Sequence, residues 1–556
     1  MALGSLLTSH SRTAPSQTGG WRWPLLLTAA VIAMPVMVIV GSLLLPYSES
    51  WGHLLETVVP RYVATSLWLM AGVGLGTFVI GVGAAWLTTA YEFPGRRMLS
   101  WALLLPMAMP AYIIAYTYTG MLDFSGPVQS GLRDWFGWGY GDYYFPQIRS
   151  LGGAICMLSL VLYPYVYLLT RVAFMEQSAT ILEAGRSLGR TPRQTFFAVA
   201  LPMARPAIVA GVSLALMETL ADFGTVDYFG VSAFTAGIFR TWYGLGELTT
   251  AAQLCAMLLV FILVLVTLER ASRSRMRFHY RSARRAAPLR LSGWQGAGAS
   301  IALSLVMTAG FLLPALQLLE WSLDRWRAIF DSAFLSLVYN SFMLATLASV
   351  CCLLVALLLG YGKRLSPGLM ESATVRVASM GYAVPGMVIA VGVLIPFAWL
   401  DNRVDALFRA WFDNSTGLIL SGTMAALLFA YVVRFLSVSL QSVESGLARI
   451  GPELDESART LGANPTQTLR RVHLPMLRGS LLTALLLVFV DVLKELPATL
   501  ILRPFDVNTL AVRAYELASD ERLADAALPA LAIVIIGLAP VILLVRGILS
   551  GEPNRE

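Results

Sequence analysis

Long apolar runs separated by short polar segments recur along the whole chain, and they fall into two sets of six. Each run has about the 20 residues that an α-helix needs to cross a bilayer. The first set lies near residues 23–45, 62–90, 98–119, 150–170, 205–226 and 249–268. The second set lies near 296–319, 336–361, 374–399, 417–440, 479–501 and 526–548. The pattern predicts an all-α integral membrane protein with about twelve transmembrane helices in two tandem six-helix halves.

The composition supports a membrane protein and argues against a soluble domain. Hydrophobic residues make up 57% of the 556 and charged residues 13%, whereas roughly a quarter of the residues in soluble domains are charged. The first apolar run is too long for a signal-peptide core and lacks a small-residue cleavage site, so we expect a retained span. All four cysteines lie in predicted spans and the four histidines are scattered, so neither a disulfide framework nor a metal site is assigned.

Arginine placement predicts the orientation of the spans. The segment between the two halves carries eight arginines against one acid, Glu269. Because cytoplasmic loops are enriched in positive charge, we expect this segment and both termini in the cytoplasm. Such a basic segment also occurs in nucleic-acid-binding proteins, but its place between membrane spans favours contact with anionic lipid headgroups of the bilayer and no nucleic acid.

These features predict six regions along the chain. They are an N-terminal segment with the first span (1–60), the core of the first half (61–268), a basic cytoplasmic linker (269–295), the seventh span with an outer loop (296–335), the core of the second half (336–548) and a C-terminal tail (549–556).

One polar segment occurs in both halves. Residues 183–202 match residues 456–475 after a single shift of 273 residues (462 minus 189). The chain therefore contains an internal duplication, and identity at polar positions indicates a shared contact surface, because packing alone requires only hydrophobicity. In each copy a glycine, Gly189 or Gly462, is followed three residues later by proline, which predicts a helix, a turn and a second helix.

Both segments resemble the EAA loop of the permease subunits of bacterial ATP-binding cassette importers. That motif is Glu-Ala-Ala, three residues, Gly, nine residues, an aliphatic residue, one more residue and Leu-Pro. This sequence keeps the spacing and departs at Gly185 and Ser457, where the motif has alanine. The residues that carry the resemblance are Glu183, Ala184, Gly189, Leu201 and Pro202 in the first copy and Glu456, Gly462, Leu474 and Pro475 in the second.

The resemblance implies two tandem type I importer permease repeats in one chain. It also implies that each loop forms a coupling helix that docks on a dimer of ATP-binding cassette ATPases and transmits its closure to the membrane helices. Alternatively, Glu183 and Glu456 only cap their own helices or pair with Arg186 and Arg459, three residues further on.

The chain lacks a phosphate-binding loop, which requires Gly, four residues, Gly-Lys and Ser or Thr. It has two lysines, Lys363 and Lys494; Lys363 is followed by Arg364, and Leu357 stands where the first glycine belongs. We therefore expect no enzyme activity in this chain, no covalently bound cofactor, and ATP hydrolysis in a partner subunit.

Four carboxylates stand out within the apolar runs. Glu218 and Asp222 correspond to Asp491 and Glu495 under the shift of 273 residues, and each pair, four residues apart, lies on one helix face. Buried ionisable groups at membrane depth cost about 2.5–3.5 kcal/mol each on insertion scales, so they normally line a bundle interior or a water-filled path. The pattern predicts an oxygen-rich translocation pathway for a hard cation. Internal pairing is the alternative, since Lys494 is able to neutralise one acid.

The wider sequence resembles the ferric-iron permeases of this family. The resembling stretches are 110–116, 124–129, 218–225 and 494–504, with an echo of the first at 385–390. The resemblance implies a bacterial inner-membrane permease that receives iron(III) from a periplasmic substrate-binding protein. Fused permeases for thiamine or other small solutes share the architecture, and an ion-coupled secondary transporter would also have twelve spans and buried acids.

The outer loop near 120–149 contains several aromatic residues, including Tyr140, Tyr143 and Tyr144. Tyrosines are possible iron ligands, but an aromatic belt at the membrane surface is the more ordinary interpretation. No iron ligand is assigned from this loop.

Overall fold

A computed structural model describes residues 19–176, 189, 191–274 and 288–550, and nearly all of these residues lie in helices or the turns between them. The longer helices of the first half are Gly19–Gly41, Val59–Ala90, Arg96–Ala102, Ala111–Leu122, Pro127–Phe136, Leu151–Glu176, Leu201–Ala221 and Leu248–Ser274. Shorter helices are Ser50–His53, Pro192–Thr195, Gly224–Tyr228 and Phe234–Phe239. Single 3-10 or π turns are Ser42–Leu44, Leu54–Val58, Leu105–Ala108, Phe196–Ala200 and Arg240–Gly244.

The second half repeats this order. Its longer helices are Trp294–Met307, Leu313–Asp324, Ser332–Leu365, Leu369–Ala378, Gly386–Phe412, Met424–Ala448, Pro452–Thr460, Arg478–Leu493, Leu510–Ser519 and Leu523–Ser550. Shorter helices are Pro465–Thr468, Leu474–Met476 and Pro497–Leu502, and 3-10 or π turns are Thr308–Leu312, Trp326–Phe330, Ser379–Ala383 and Leu469–His473. Two short strands, Tyr91–Glu92 and Leu289–Arg290, pair in parallel, with Tyr91 opposite Leu289.

Ten helices in the described residues are long and apolar enough to cross a membrane, and the count rises to 12 when each of two bent pairs is one span. The bent pairs are Arg96–Ala108 with Ala111–Phe136, at 94°, and Pro465–Met476 with Arg478–Leu493, at 78°. The all-α prediction with about twelve spans in two halves is thus confirmed. The protein is a multi-pass membrane protein.

Several predicted spans are nevertheless discontinuous. The span predicted at 98–119 breaks before Pro110, and the one predicted at 374–399 breaks before Pro385. Proline restricts the residue before it to extended backbone and lacks an N–H, so the chain leaves one helix and starts another at these points. The spans predicted at 205–226 and 479–501 end as helices at Ala221 and Leu493, and a short helix follows each break.

The duplication predicted from the sequence is visible in local structure. Pro192–Thr195 corresponds to Pro465–Thr468 under the same shift of 273 residues (465 minus 192). Both helices begin with a capping box, in which Thr191 or Asn464 accepts a hydrogen bond from the backbone of a glutamine three residues on and that glutamine bonds back. Each is followed by a π turn of five residues.

The first helix of each half packs against the other half. Gly19–Gly41 contacts Gly386–Phe412 and Leu369–Ala378, and Arg22 Nε lies 2.9 Å from Glu371 Oε1. In the other direction, the Tyr118 hydroxyl donates to the carbonyl oxygen of Ala309 at 2.6 Å. Small residues permit these close approaches, as expected in a bilayer, where helices associate by packing and not by burial from water. The two halves are therefore interlocked.

We predict that Gly392→Val weakens this interlocking. A Cβ atom at Gly392 would lie 2.5 Å from the backbone carbonyl oxygen of Pro35, which is part of the first helix and is unable to rotate away. Overpacking of this kind costs about 1–3 kcal/mol. The measurement is unfolding of the purified protein in detergent micelles. Gly83→Val is the matched control, because a Cβ at Gly83 has no atom within 4 Å. Equal stability of the two variants would contradict the close packing.

Candidate functional site

A cavity of about 140 Å³ lies between the two halves, and all four carboxylates singled out in the sequence line it. Glu218 is in the last turn of Leu201–Ala221, and Asp491 is in the last turn of Arg478–Leu493. Asp222 and Glu495 come just after these helices end. The duplicated fold thus brings together residues that are 273 positions apart in the chain (491 minus 218).

The second acid of each pair caps the short helix that follows the break. Asp222 accepts hydrogen bonds from the backbone N–H groups of Thr225 and Val226, both at 3.1 Å, and from the Thr225 hydroxyl at 3.0 Å. Glu495 accepts the corresponding bonds from Ala498 at 2.9 Å and Thr499 at 3.0 Å. These amides have no partner inside their own helices, so the carboxylates satisfy backbone groups that would otherwise be unpaired at membrane depth.

Glu495 also forms a buried ion pair. Arg434 Nη1 donates to Glu495 Oε1 at 2.9 Å, and the two side chains are only 14% and 1% exposed. A Cβ at Gly386 would lie 1.9 Å from Arg434 Nη1, so only glycine leaves room for this pair. The sequence analysis did not identify Arg434, although a lone arginine within the apolar helix Met424–Ala448 is itself a signal of an intramembrane partner.

Asp491 is paired internally as well. Lys494 Nζ lies 2.8 Å from Asp491 Oδ1, three residues away. This contact is the internal pairing that the sequence analysis gave as the alternative, with Asp491 as the acid involved.

Glu218 has a different environment. Among the described residues it has no cationic side chain within ion-pair distance. Its neighbours in the cavity are two tyrosines that the sequence analysis did not identify, Tyr165 and Tyr382. Both tyrosines line the cavity together with Glu218, Tyr165 from the first half and Tyr382 from the second.

The cavity is asymmetric in charge. Its four carboxylates face two cations, Arg434 and Lys494, which leaves a formal charge of −2 (two minus four). Both cations come from the second half. The corresponding residues of the first half, Val161 and Ala221, also line the cavity and are apolar. The arrangement favours a cation over an anion.

Two polar contacts between the halves lie on the side of the outer loop. Arg149 Nη2 lies 2.7 Å from Glu521 Oε1, and the Tyr515 hydroxyl donates to Asp227 Oδ2 at 2.6 Å. Within the loop, Tyr143 donates to Gln129 at 2.7 Å, while Tyr140 and Tyr144 are about 90% exposed. The surface position of these tyrosines agrees with an aromatic belt.

The structure describes the whole of the second copy of the repeated polar loop and part of the first. Glu456 lies exposed in Pro452–Thr460, and Gly462 has φ +81° in the turn to the next helix, before Leu474 and Pro475. Among the described residues Glu456 has no ion-pair partner, so the alternative pairing with Arg459 is absent from this copy. In the first copy Gly189 has φ +75° and Leu201–Pro202 begins the inner helix, whereas Glu183 and Ala184 lie outside the described residues.

The second loop is anchored firmly to the membrane helices. Arg364 Nη2 lies 2.7 Å from Asp455 Oδ2, and the same guanidinium donates to the carbonyl oxygens of Leu447 and Ile450. His473 Nε2 lies 2.8 Å from Asp455 Oδ1. At the tip, Leu461 is 88% exposed. The second loop is thus a helix pair that is fixed to the membrane helices and has an exposed apolar tip.

We predict that Glu495→Ala destabilises the protein more than Asp222→Ala. Both substitutions remove a helix cap, worth about 1 kcal/mol. Glu495→Ala also leaves Arg434 buried without its partner, a loss of about 3–5 kcal/mol. The measurement is unfolding in mixed micelles of increasing dodecyl sulfate content. Equal losses would mean that the ion pair adds nothing beyond the cap.

Comparisons with known proteins agree with this architecture. Residues 77–278 and 352–550 each match the family described as binding-protein-dependent transport system inner membrane component. The Fe(3+)-transport system permease protein FbpB 2 of Haemophilus influenzae is 24% identical over 87% of this chain and 89% of that relative. The putative ferric transport system permease protein FbpB 1 of the same organism is 22% identical over 83% of this chain and 73% of its own length.

A smaller relative matches only part of the chain. The molybdenum transport system permease protein ModB of Escherichia coli is 28% identical over 35% of this chain and 86% of its own length. The two matched segments together cover more than half of the chain, and the family's members are membrane components of transport systems, not enzymes themselves. The chain belongs to the family of binding-protein-dependent transport system inner membrane components, and it contains two copies of the family's domain.

Proposed function

We propose that this protein is the transmembrane permease of an ATP-binding cassette importer for iron(III). The assignment of iron(III) as the substrate rests on the cavity, in which four carboxylates face two cationic side chains. Excess negative charge in a confined space of low dielectric concentrates cations and repels anions. An oxyanion such as molybdate would meet this lining with unfavourable charge. The two relatives that match most of this chain are named as Fe(3+) and ferric transport permeases, which supports the same substrate.

The cavity acids supply the chemistry of the pathway. Oxygen donors suit a small, highly charged cation. Asp222 and Glu495 stabilise the helix breaks that border the cavity. Glu218 and Asp491 also line the cavity and present their carboxylates to its interior. In the proposed cycle, iron(III) enters from the outer side when the halves separate there and leaves toward the cytoplasm when the outer contacts re-form.

The partners follow from the family and from the loops. A periplasmic substrate-binding protein delivers iron(III) to the outer face, and a dimer of ATPases docks on the two repeated loops and supplies ATP hydrolysis. The permease lies in the bacterial inner membrane, with both termini and the basic linker in the cytoplasm. The exposed tip at Leu461 and the anchoring of Asp455 support a docking role for the second loop.

We predict that cells lacking the gene lose uptake of radiolabelled iron(III) and regain it when the gene is restored, while uptake of labelled thiamine and molybdate stays unchanged. The physical reason is the charge and oxygen lining of the cavity. If cells lacking the gene lost thiamine uptake and kept normal iron uptake, the protein would still be an importer permease, but iron(III) would not be its substrate. An ATPase should copurify with the tagged permease; isolation without one would contradict the proposed energy source.

We predict that alanine at both Glu183 and Glu456 lowers iron(III) uptake at least several-fold while membrane insertion stays normal, because the loops lose contacts with the ATPases. The matched control is Glu453→Ala, which removes an exposed acid from the same helix as Glu456. Both variants are measured for protein level in isolated membranes and for uptake. Unchanged uptake in the double variant would contradict the coupling role.

A further inference from the structure

The four cavity carboxylates differ in the hydrogen bonds and ion pairs that they form with other groups of the protein. Asp222 and Glu495 accept backbone hydrogen bonds, and Glu495 additionally binds Arg434. Asp491 is paired with Lys494. Among the described residues, Glu218 alone has neither a cationic side chain within salt-bridge distance nor a capping role, and Lys494, which pairs with Asp491, acts on it only from farther away. It is therefore the carboxylate that a cargo cation engages with least competition.

Tyrosines line the cavity beside this carboxylate. Tyr165 and Tyr382 border the same cavity as Glu218. Glu218 and Tyr165 belong to the first half, in the helices Leu201–Ala221 and Leu151–Glu176. Tyr382 belongs to the second half, in the 3-10 turn Ser379–Ala383. The cluster thus forms across the boundary between the halves.

A third tyrosine provides independent support for a ligand. Tyr112 lines the same cavity, is 6% exposed, and has a buried hydroxyl with no hydrogen-bond partner among the described residues. An unpaired buried hydroxyl is costly, typically by about 1–3 kcal/mol, and such groups call for a bound partner at the site. A cargo ion with its bound water is a chemical partner of that kind.

We propose that Glu218, Tyr165 and Tyr382 form a transient binding site for iron(III), with Tyr112 contacting the water that completes the coordination. The inference rests on the proposed function, in which iron(III) is the cargo. Carboxylate and phenolate oxygens are hard donors suited to a ferric ion. Each tyrosine that binds the metal releases its hydroxyl proton to water, since metal ligands must be deprotonated.

The composition and position of the site fit a passing ion and not a resident metal. Among the residues that the structure describes, no group of three or more His, Cys, Asp or Glu side chains is suited to hold a metal ion. The proposed site accordingly combines one carboxylate with tyrosine hydroxyls. Because Tyr382 comes from the other half, separation of the halves removes one ligand and weakens the hold on the ion, which is what transport requires.

The test is a titration of the purified full chain in detergent with ferric nitrilotriacetate, followed by visible absorption. Coordination of phenolate to iron(III) produces a visible charge-transfer band, which carboxylate coordination alone does not. We expect the band in the wild type and its removal by excess gallium(III), a colourless ion of the same charge. Tyr165→Phe and Tyr382→Phe should each lower the band, because each removes one phenolate. Glu218→Gln should weaken the apparent affinity roughly tenfold or more.

The control is Tyr339→Phe, since Tyr339 is 66% exposed on a different helix and does not line the cavity. Unfolding in detergent checks that every variant is folded. Absence of the band in the wild type, or an equal band in all variants, overturns the proposed site. Iron(III) uptake by cells separates the two proposals: gene-dependent uptake without the band retains the proposed function and rejects this site, whereas loss of both rejects both.

Discussion

The structure depends on how two interrupted helices are stabilised inside a membrane. A bilayer offers no water to satisfy free backbone N–H groups, so broken helices persist only where protein groups replace it. Asp222 and Glu495 provide that replacement by capping the short helices that follow each break. The breaks, in turn, create the space between the halves in which the cavity lies. Charges that look like pathway residues in the sequence are thus also structural supports.

Duplication supplied the same scaffold twice, and divergence made the two copies unequal. Both halves contribute a pair of acids, but only the second contributes the cations Arg434 and Lys494. As a result both acids of the second half have a cationic partner, whereas Glu218 in the first half has none within salt-bridge distance among the described residues. Under the proposed function, a cation held by one such carboxylate is bound less tightly than by four unpaired acids, and modest affinity permits release.

The interlocking of the halves links the cavity to the loops. Each first helix packs against the opposite half, so the two halves stay connected through these helices when they move relative to each other. The second loop is anchored through Asp455 to Arg364 and His473, on the helix Ser332–Leu365 and in the π turn before the inner helix. Movement of that loop therefore reaches the helix that carries Asp491. The arrangement gives a physical route from the second loop to the cavity wall.

The sequence by itself determined the membrane class, the two-half duplication, the loop motif and the equivalence of Glu218 with Asp491 and Asp222 with Glu495. These features depend on hydropathy, spacing and identity along one chain. Only the tertiary structure decided that Asp222 and Glu495 are caps, that Arg434 binds Glu495, and that Tyr165 and Tyr382 lie beside Glu218. Those relations join helices far apart in the chain, and apolar periodicity states that a helix crosses the membrane without stating which neighbour it meets.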